Sequence, residues 1–426
     1  MKTIIKNINL INFNSEEILD IIINNDNGKI EKIGKGLSDN GCEKVIDGVG
    51  KIAFPGLCDI HCHLRDPGFE YKEDIETGAK SAAKGGFTAV LAMPNTSPVA
   101  DNKTVIDYIY KKIEEKACIK VYQSGAISKG LKGEELAEMG EMQKSGIIAV
   151  TDDGKPVSDA SLMKKALIYA NMLGLPVISH AEDLSLVDGG CMNEGFMSTY
   201  LGLRGTNKAA EEAMTARDII IAKNTDTPVH ITHVSTKGAV EIIRDFKKQG
   251  VKVTCDTCPH YFSLTDKMCE GFNTNAKMNP PLREDEDVCA IIEGLKDGTI
   301  DMIGTDHAPH HIDEKNCEFD KALNGIIGFE TAFSVAYKYL HKGAGFSLSE
   351  IIKLMSYNPN KFLKLSGGEI KEGEDADLVI ASVDKEYEYK EEDIVSKSKN
   401  SPYIGFKFES KIENVFVNGK DVLEEK

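Results

Sequence analysis

Between Ile52 and about Ile303 the chain alternates two kinds of apolar pattern. Short β-rich runs close on a polar tip, and each gives way to a longer stretch whose apolar residues recur with helical periodicity. The runs are IAFPGLCDI, FTAVLAM, IKVYQSGAI, IIAVTDD, LPVISH, PVHITHV, VKVTCDT and DMIGTD, and the helical stretches include DNKTVIDYIYKKIEEK and SDASLMKKALIYANML. Such alternation is the pattern of βα units around a parallel sheet. Eight runs suit a closed barrel. An open doubly wound sheet could hold eight strands as well, but its glycine-rich phosphate loop after the first strand is missing. The first run leads instead into His61, Cys62 and His63.

Both ends of the chain read differently. Residues 1–53 (TIIKNINLIN, ILDIIINNDNGKIEKIG) and 369–426 (DADLVIASV, IENVFVNGK) are short strand patterns joined by Asn, Gly and Asp turns. Neither piece is large enough to fold alone. The predicted class is therefore α/β: a (β/α)8 TIM-type barrel over 54–368, with a small β-sandwich-like domain formed from both chain ends. That pairing requires the barrel's termini to lie close together. The charged stretch KEYEYKEEDIVSKSK reads as solvated surface.

Composition narrows the partners. The 426 residues exceed the roughly 250 of a typical single barrel, which fits a barrel plus a smaller module. A formal charge of −17, spread along the chain, offers no basic stripe for a phosphate backbone, so nucleic acid is excluded as a partner. No stretch approaches the roughly 20 apolar residues of a membrane helix. The first residues, MKTIIKNINLINFNSEE, make a poor signal peptide, with lysines around a very short apolar run and no small-residue cleavage site. Ten cysteines in such a chain are too sparse for a disulfide scaffold and are expected to stay reduced, which gives a cytoplasmic address. Cys255 and Cys258 form a lone CxxC with no second pair to complete a zinc site, and are read as structural.

The chemistry begins at His61-Cys62-His63-Leu64-Arg65. Alternate side chains of a strand share a face, so His61 and His63 project together and Arg65 continues their line. Two imidazoles converging at the C-terminal mouth of a barrel suit a divalent metal. An HxH pair alone is moderately specific, but Asp153 follows the fourth run, His180 the fifth, His233 the sixth and Asp306 the eighth. Every one falls at the rim where barrel enzymes build their sites. His230, three residues before His233, is read as facing core or helix, His260 as supporting a ligand from behind or structural, and His341 as surface.

These residues sit in PGLCDIHCHLRDPG, FTAVLAMPNT, VTDDG, ISHAED, ITHVST, TCDTCPHYF, KMNPPLR, IGTDHAPH and GFETAF, in the order of the runs. On them the chain resembles the amidohydrolase superfamily and, within it, the class I dihydroorotases, over nearly its whole length. The resemblance implies a site of one or two Zn2+ per subunit and the reversible interconversion of L-dihydroorotate with N-carbamoyl-L-aspartate in pyrimidine biosynthesis. It assigns His61, His63 and Asp306 to one metal and His180 and His233 to a second. Many relatives bridge the two with a carboxylated lysine. Here the stretch is AVTDDG, so an aspartate must bridge: Asp153 is the choice and Asp152 the fallback. Lys155 lies past the turn and is read as exposed.

In that reading a metal brings the pKa of water from about 15.7 towards 7, and hydroxide attacks the ring amide. Asp306 takes the proton and passes it to the leaving nitrogen. No GxSxG elbow offers an alternative nucleophile. The substrate's carboxylate calls for a planar guanidinium, and Arg65 is the specificity residue: the chain has only five arginines, Arg65, Arg204, Arg217, Arg244 and Arg283. The resemblance adds His63, Asn95 and His310 on the substrate's carboxylate side, and Asn279 with the backbone of Asn324 and Gly325 at the ring. It also implies a homo-oligomer, foremost a dimer, and leaves room for association with aspartate carbamoyltransferase. Two rival readings remain: another cyclic amidohydrolase (hydantoinase, dihydropyrimidinase or allantoinase), and an inactive structural partner of the carbamoyltransferase. Arg65 and the missing bridging lysine oppose the first; the complete ligand set opposes the second.

Overall fold

A computed structural model describes residues 1–424. Eight short parallel strands form the barrel: Leu57–Cys62, Phe87–Ala92, Lys120–Gln123, Val150–Thr151, Val177–Ser179, Val229–Ile231, Val253–Thr257 and Met302–Ile303. The first three pair in one sheet and the last five in another. Parallel bridges Gly125 to Val150 and Cys62 to His307 join the two sheets into a closed ring.

Helices cover the outside because their apolar residues repeat on one face. In Lys103–Lys116 the Asn102 side chain accepts from the amides of Thr104 and Val105, capping the start, and Val105, Ile106 and Ile109 are buried. A separate cluster of Cys58, Ile60, Ala89, Leu91, Met93, Ile178, Met302 and Leu363 packs alternate positions of the strands together, apart from the larger core under the helices.

One expected strand divides. IAFPGLCDI is two strands, Lys51–Pro55 and Leu57–Cys62, and only the second belongs to the barrel. Lys51–Pro55 pairs with Lys2–Asn12 and with Leu378–Glu388. The break is Gly56, where a Cβ would lie 2.0 Å from the Thr88 hydroxyl oxygen, so only glycine lets the chain cross there. Strands from both chain ends make one eight-stranded sheet over a core of Ile5, Ile8, Ile21, Ile23, Leu378, Ile380 and Phe416. The Asn12 side chain ties the ends together, donating to the Ile370 carbonyl at 3.1 Å and accepting from the Ile370 amide at 2.8 Å.

The stretch KEYEYKEEDIVSKSK is only partly solvated. Its acidic residues at 391–393 are exposed, but Tyr389, Ile394, Ser396 and Ser398 are buried. Ser398 donates to the Lys72 carbonyl at 2.7 Å, so small hydroxyls between the charges seat the segment on the barrel. His341 is half-buried rather than on the surface, its Nδ1 2.6 Å from the Phe346 carbonyl. No helix among the described residues is long and apolar enough to cross a membrane.

Candidate active site

The strand ends bring His61, His63, Asp153, His180, His233 and Asp306 together, all buried. Asp153 is central. Its Oδ1 lies 3.2 Å from His61 Nε2, 3.4 Å from His180 Nδ1 and 3.6 Å from His233 Nε2, while Oδ2 lies 3.4 Å from His63 Nε2. Asp306 Oδ1 is 3.0 Å from His63 Nε2 and 3.4 Å from His61 Nε2. Two overlapping groups have metal-ligand spacing, His61 with His63 and Asp306, and His61 with Asp153 and His233. His180 joins the second through Nδ1, 2.7 Å from His233 Nε2.

Asp152 takes no part. It accepts from the amides of Ile127 and Ser128 at 2.7 and 3.0 Å and from the Ser128 hydroxyl, and so fastens the loop after the third strand. Neighbouring side chains orient the rings: His61 Nδ1 meets the Thr232 hydroxyl at 2.8 Å, His63 Nδ1 the Asn95 side-chain oxygen Oδ1 at 2.9 Å, and His180 Nε2 the Glu182 carboxylate at 3.2 Å. With those nitrogens engaged, the opposite ring nitrogens are the ones aimed at the carboxylates.

That arrangement fits a divalent cation. His61 Nε2 and Asp153 Oδ1 are buried with no hydrogen-bond partner, although they face one another. Burial would lower His61, but Asp153 and Asp306 raise it to about 10; burial likewise opposes His180, which Asp153 and Glu182 raise to about 10. Burial would raise Asp306, yet His61 and His63 bring it to about 2. The carboxylates thus attract whatever positive charge the imidazoles can share, which is what a metal supplies in place of protons. Arg65, His233 and Asp306 hold left-handed backbone at φ 61°, 43° and 47°. Such conformations cost on the order of 1–3 kcal/mol each and persist where surroundings enforce them.

A cavity of about 200 Å³ opens on this cluster. Its lining includes His63, Arg65, Asn95, Asn279, His310, Asn324 and Gly325, the whole set expected at the substrate. Arg65 stands out by its lack of a counterion. Arg204 pairs with Asp188, Arg217 with Asp218, Arg244 with Asp297 and Arg283 with Glu211, but Arg65 has no carboxylate partner among the described residues. Its Nε donates to the Pro309 carbonyl at 3.2 Å, and Nη2 lies 3.3 Å from His310 Nε2. His310 is held neutral, because burial lowers it and Arg65 and Lys72 add to the effect.

Other histidines stay outside. His230 bonds Thr254 and Asp256, both at 2.8 Å, and His260 is buried with its Nε2 unpartnered and belongs to neither ligand group. Burial lowers His260 to about 4. The CxxC thiols are buried and free, and burial pushes both far up. Sequence reasoning missed Glu182, although it lies in ISHAED two residues past His180. Burial raises Glu182, but His180 and Asn279 hold it below the ordinary range.

Residues 50–239 match the family model described as dihydro-orotase-like. A dihydroorotase of Acetivibrio thermocellus is 54% identical, over 97% of this chain and 96% of its own length. One of Ruminiclostridium cellulolyticum is 53% identical, over 100% and 99%. Among solved structures, the L-hydantoinase (dihydropyrimidinase) from Arthrobacter aurescens superposes with a TM-score of 0.90 at 24% identity, covering 99% of this chain and 96% of that one, a likeness of fold.

Proposed function

Since the chain belongs to the dihydroorotase family of the amidohydrolases, we propose that its cavity opens and closes the six-membered ring between L-dihydroorotate and N-carbamoyl-L-aspartate in pyrimidine biosynthesis. The chain is a cyclic amide hydrolase with a small-molecule substrate. The observation that carries the substrate assignment is Arg65, a guanidinium with no carboxylate partner among the described residues, on the same cavity as the imidazole and carboxylate cradle.

Zn2+, one or two ions per subunit, suits a donor set of imidazole nitrogen and carboxylate oxygen. His61, His63 and Asp306 would hold one ion, His180 and His233 a second, with Asp153 between them. A bound ion supplies Lewis acidity and makes water nucleophilic near neutral pH.

Arg65, Asn95 and His310 bind the substrate's carboxylate, and Asn279 with the backbone of Asn324 and Gly325 holds the ring. Water adds to the ring amide carbonyl. Asp306 takes the proton of the attacking water and gives it to the ring nitrogen as the C–N bond breaks. In reverse, the ureido nitrogen loses its proton to Asp306, the ring C–N bond forms, and Asp306 returns the proton to the departing hydroxyl.

Ten free thiols support a cytoplasmic address. A homodimer and an association with aspartate carbamoyltransferase belong to the same reading, and light scattering with and without that enzyme tests both. The decisive assay follows dihydroorotate and hydantoin hydrolysis by purified protein, with metal analysis alongside. Turnover of dihydroorotate, abolished by a chelator, is expected; turnover of hydantoin alone would overturn the assignment.

A further inference from the structure

The wall of the cavity that carries His310, Asn324 and Gly325 is made of irregular backbone, whose peptide groups need partners from elsewhere. Two buried side chains supply them. Asn400, from the segment that precedes the last long strand, donates through Nδ2 to the carbonyls of Ala308 and Gly325 at 3.1 and 3.0 Å, and its Oδ1 accepts from the His310 amide at 3.1 Å. Its own carbonyl accepts from the Ile327 amide at 3.0 Å. The amide's two donors and its oxygen are all engaged on the two loops.

Lys315 reaches the same Gly325 carbonyl at 3.0 Å and also donates to the carbonyls of Leu323 and Lys277, at 2.8 and 3.2 Å. Three ammonium donors thus meet three carbonyls, and no carboxylate pairs with Lys315 among the described residues. Asn400 is 4% exposed and Lys315 2%. Burial, reinforced by Lys277, lowers Lys315 to about 7, as expected of an ammonium held by carbonyl dipoles alone. The loops they join are already in contact: a Cβ on Gly325 would lie 2.7 Å from Ala308 Cβ. A small shift of either loop would therefore move His310 relative to Arg65.

We propose that Asn400 and Lys315 are positioning residues that clamp the His310 and Gly325 loops through the shared Gly325 carbonyl, fixing the wall that receives the substrate's carboxylate and ring. The inference rests on the dihydroorotase reading of the cavity. Neither side chain bonds a residue of the metal cradle, so the clamp acts on substrate binding and leaves metal retention alone.

Asn400→Ala and Lys315→Met each test it, with kcat, KM for dihydroorotate, Ki for the planar analogue orotate and metal content as readouts. KM and Ki should rise about tenfold, the factor carried by roughly one lost hydrogen bond, with kcat within about threefold and metal unchanged. A fall in kcat with KM and Ki unmoved, no change at all, or loss of metal would overturn the clamp. Because the two residues approach Gly325 from different segments, one variant still reports if the other fails to fold. Failure of both to fold would assign a structural role and overturn it too. The parent's own turnover of dihydroorotate tests the functional reading separately.

Discussion

Removing the Arg65 guanidinium is the most direct perturbation of specificity. In Arg65→Met the side chain keeps its stem and loses its charge, and the left-handed backbone at φ 61° is no more strained than with arginine, since both carry a Cβ. On the proposed reading, what changes is the partner of the substrate's carboxylate. Hydrogen bonds to a charged group contribute about 1.5–3 kcal/mol, and a carboxylate left without its partner in a buried site costs about 3–5 kcal/mol. The cavity is open at one end, so roughly 3–4 kcal/mol is the appropriate range, or about a 150- to 900-fold loss of kcat/KM. Arg65→Lys should recover only part of this, because an ammonium supplies the charge without the fork that grips two oxygens.

The assay compares kcat/KM on dihydroorotate with that on hydantoin, a cyclic amide without the carboxylate. The loss should fall on dihydroorotate, while hydantoin changes by less than about threefold. Equal losses on the two substrates, with metal content intact, would refute the reasoning, because Arg65 would then be acting on the cradle or the fold.

Other outcomes follow from the same geometry. Dialysis against a chelator should abolish activity, and Zn2+ should restore it; activity that survived full metal removal would sink the cradle. Asp153→Asn should lose stoichiometric metal, whereas Asp152→Asn should keep it while lowering stability by about 1–3 kcal/mol through the Ile127–Ser128 loop, read as metal per chain and as Tm. Gly56→Ala, which drives a methyl onto Thr88, should cost about 1–3 kcal/mol or more in thermal unfolding. Lys315 is lowered from 10.5 to about 7 by burial and Lys277, with Cys317 opposing weakly. The unfolded chain therefore binds more protons between those values, and unfolding free energy rises with pH across that window. Tm of the parent relative to Lys315→Met should climb from pH 7 to pH 9; a flat difference would contradict the burial argument.

The fold was legible where the pattern tracks burial. Eight apolar runs with polar tips became eight barrel strands, because parallel strands covered on both sides leave a continuous apolar signal. The same signal misled at IAFPGLCDI, since Lys51–Pro55 is buried between two sheet neighbours and looks like barrel. Runs report burial, and only Gly56 marks where one sheet hands over to the other. The choice between Asp152 and Asp153 also lay beyond the sequence. The paired strand before them is two residues long, too short to fix which adjacent carboxylate faces the centre. Asn400 and Lys315 were illegible for another reason: they act on backbone carbonyls, and a carbonyl has no residue type to match.

Arg65 joins the two kinds of reading. Scarcity of arginine drew attention to it in the sequence, and the structure adds that the other four arginines are neutralised by carboxylates. The charges at the cavity then close in two parts. In the proposed reading Asp153 and Asp306 would offset the charge of bound metal, while Arg65, beside a neutral His310, would be balanced by the substrate carboxylate. A neutral ring such as hydantoin would offer that guanidinium no carboxylate, and so would gain nothing from it. On that reading the residues of this cavity would select a cyclic amide that carries a fixed negative charge, because only such a ring supplies the carboxylate that Arg65 lacks.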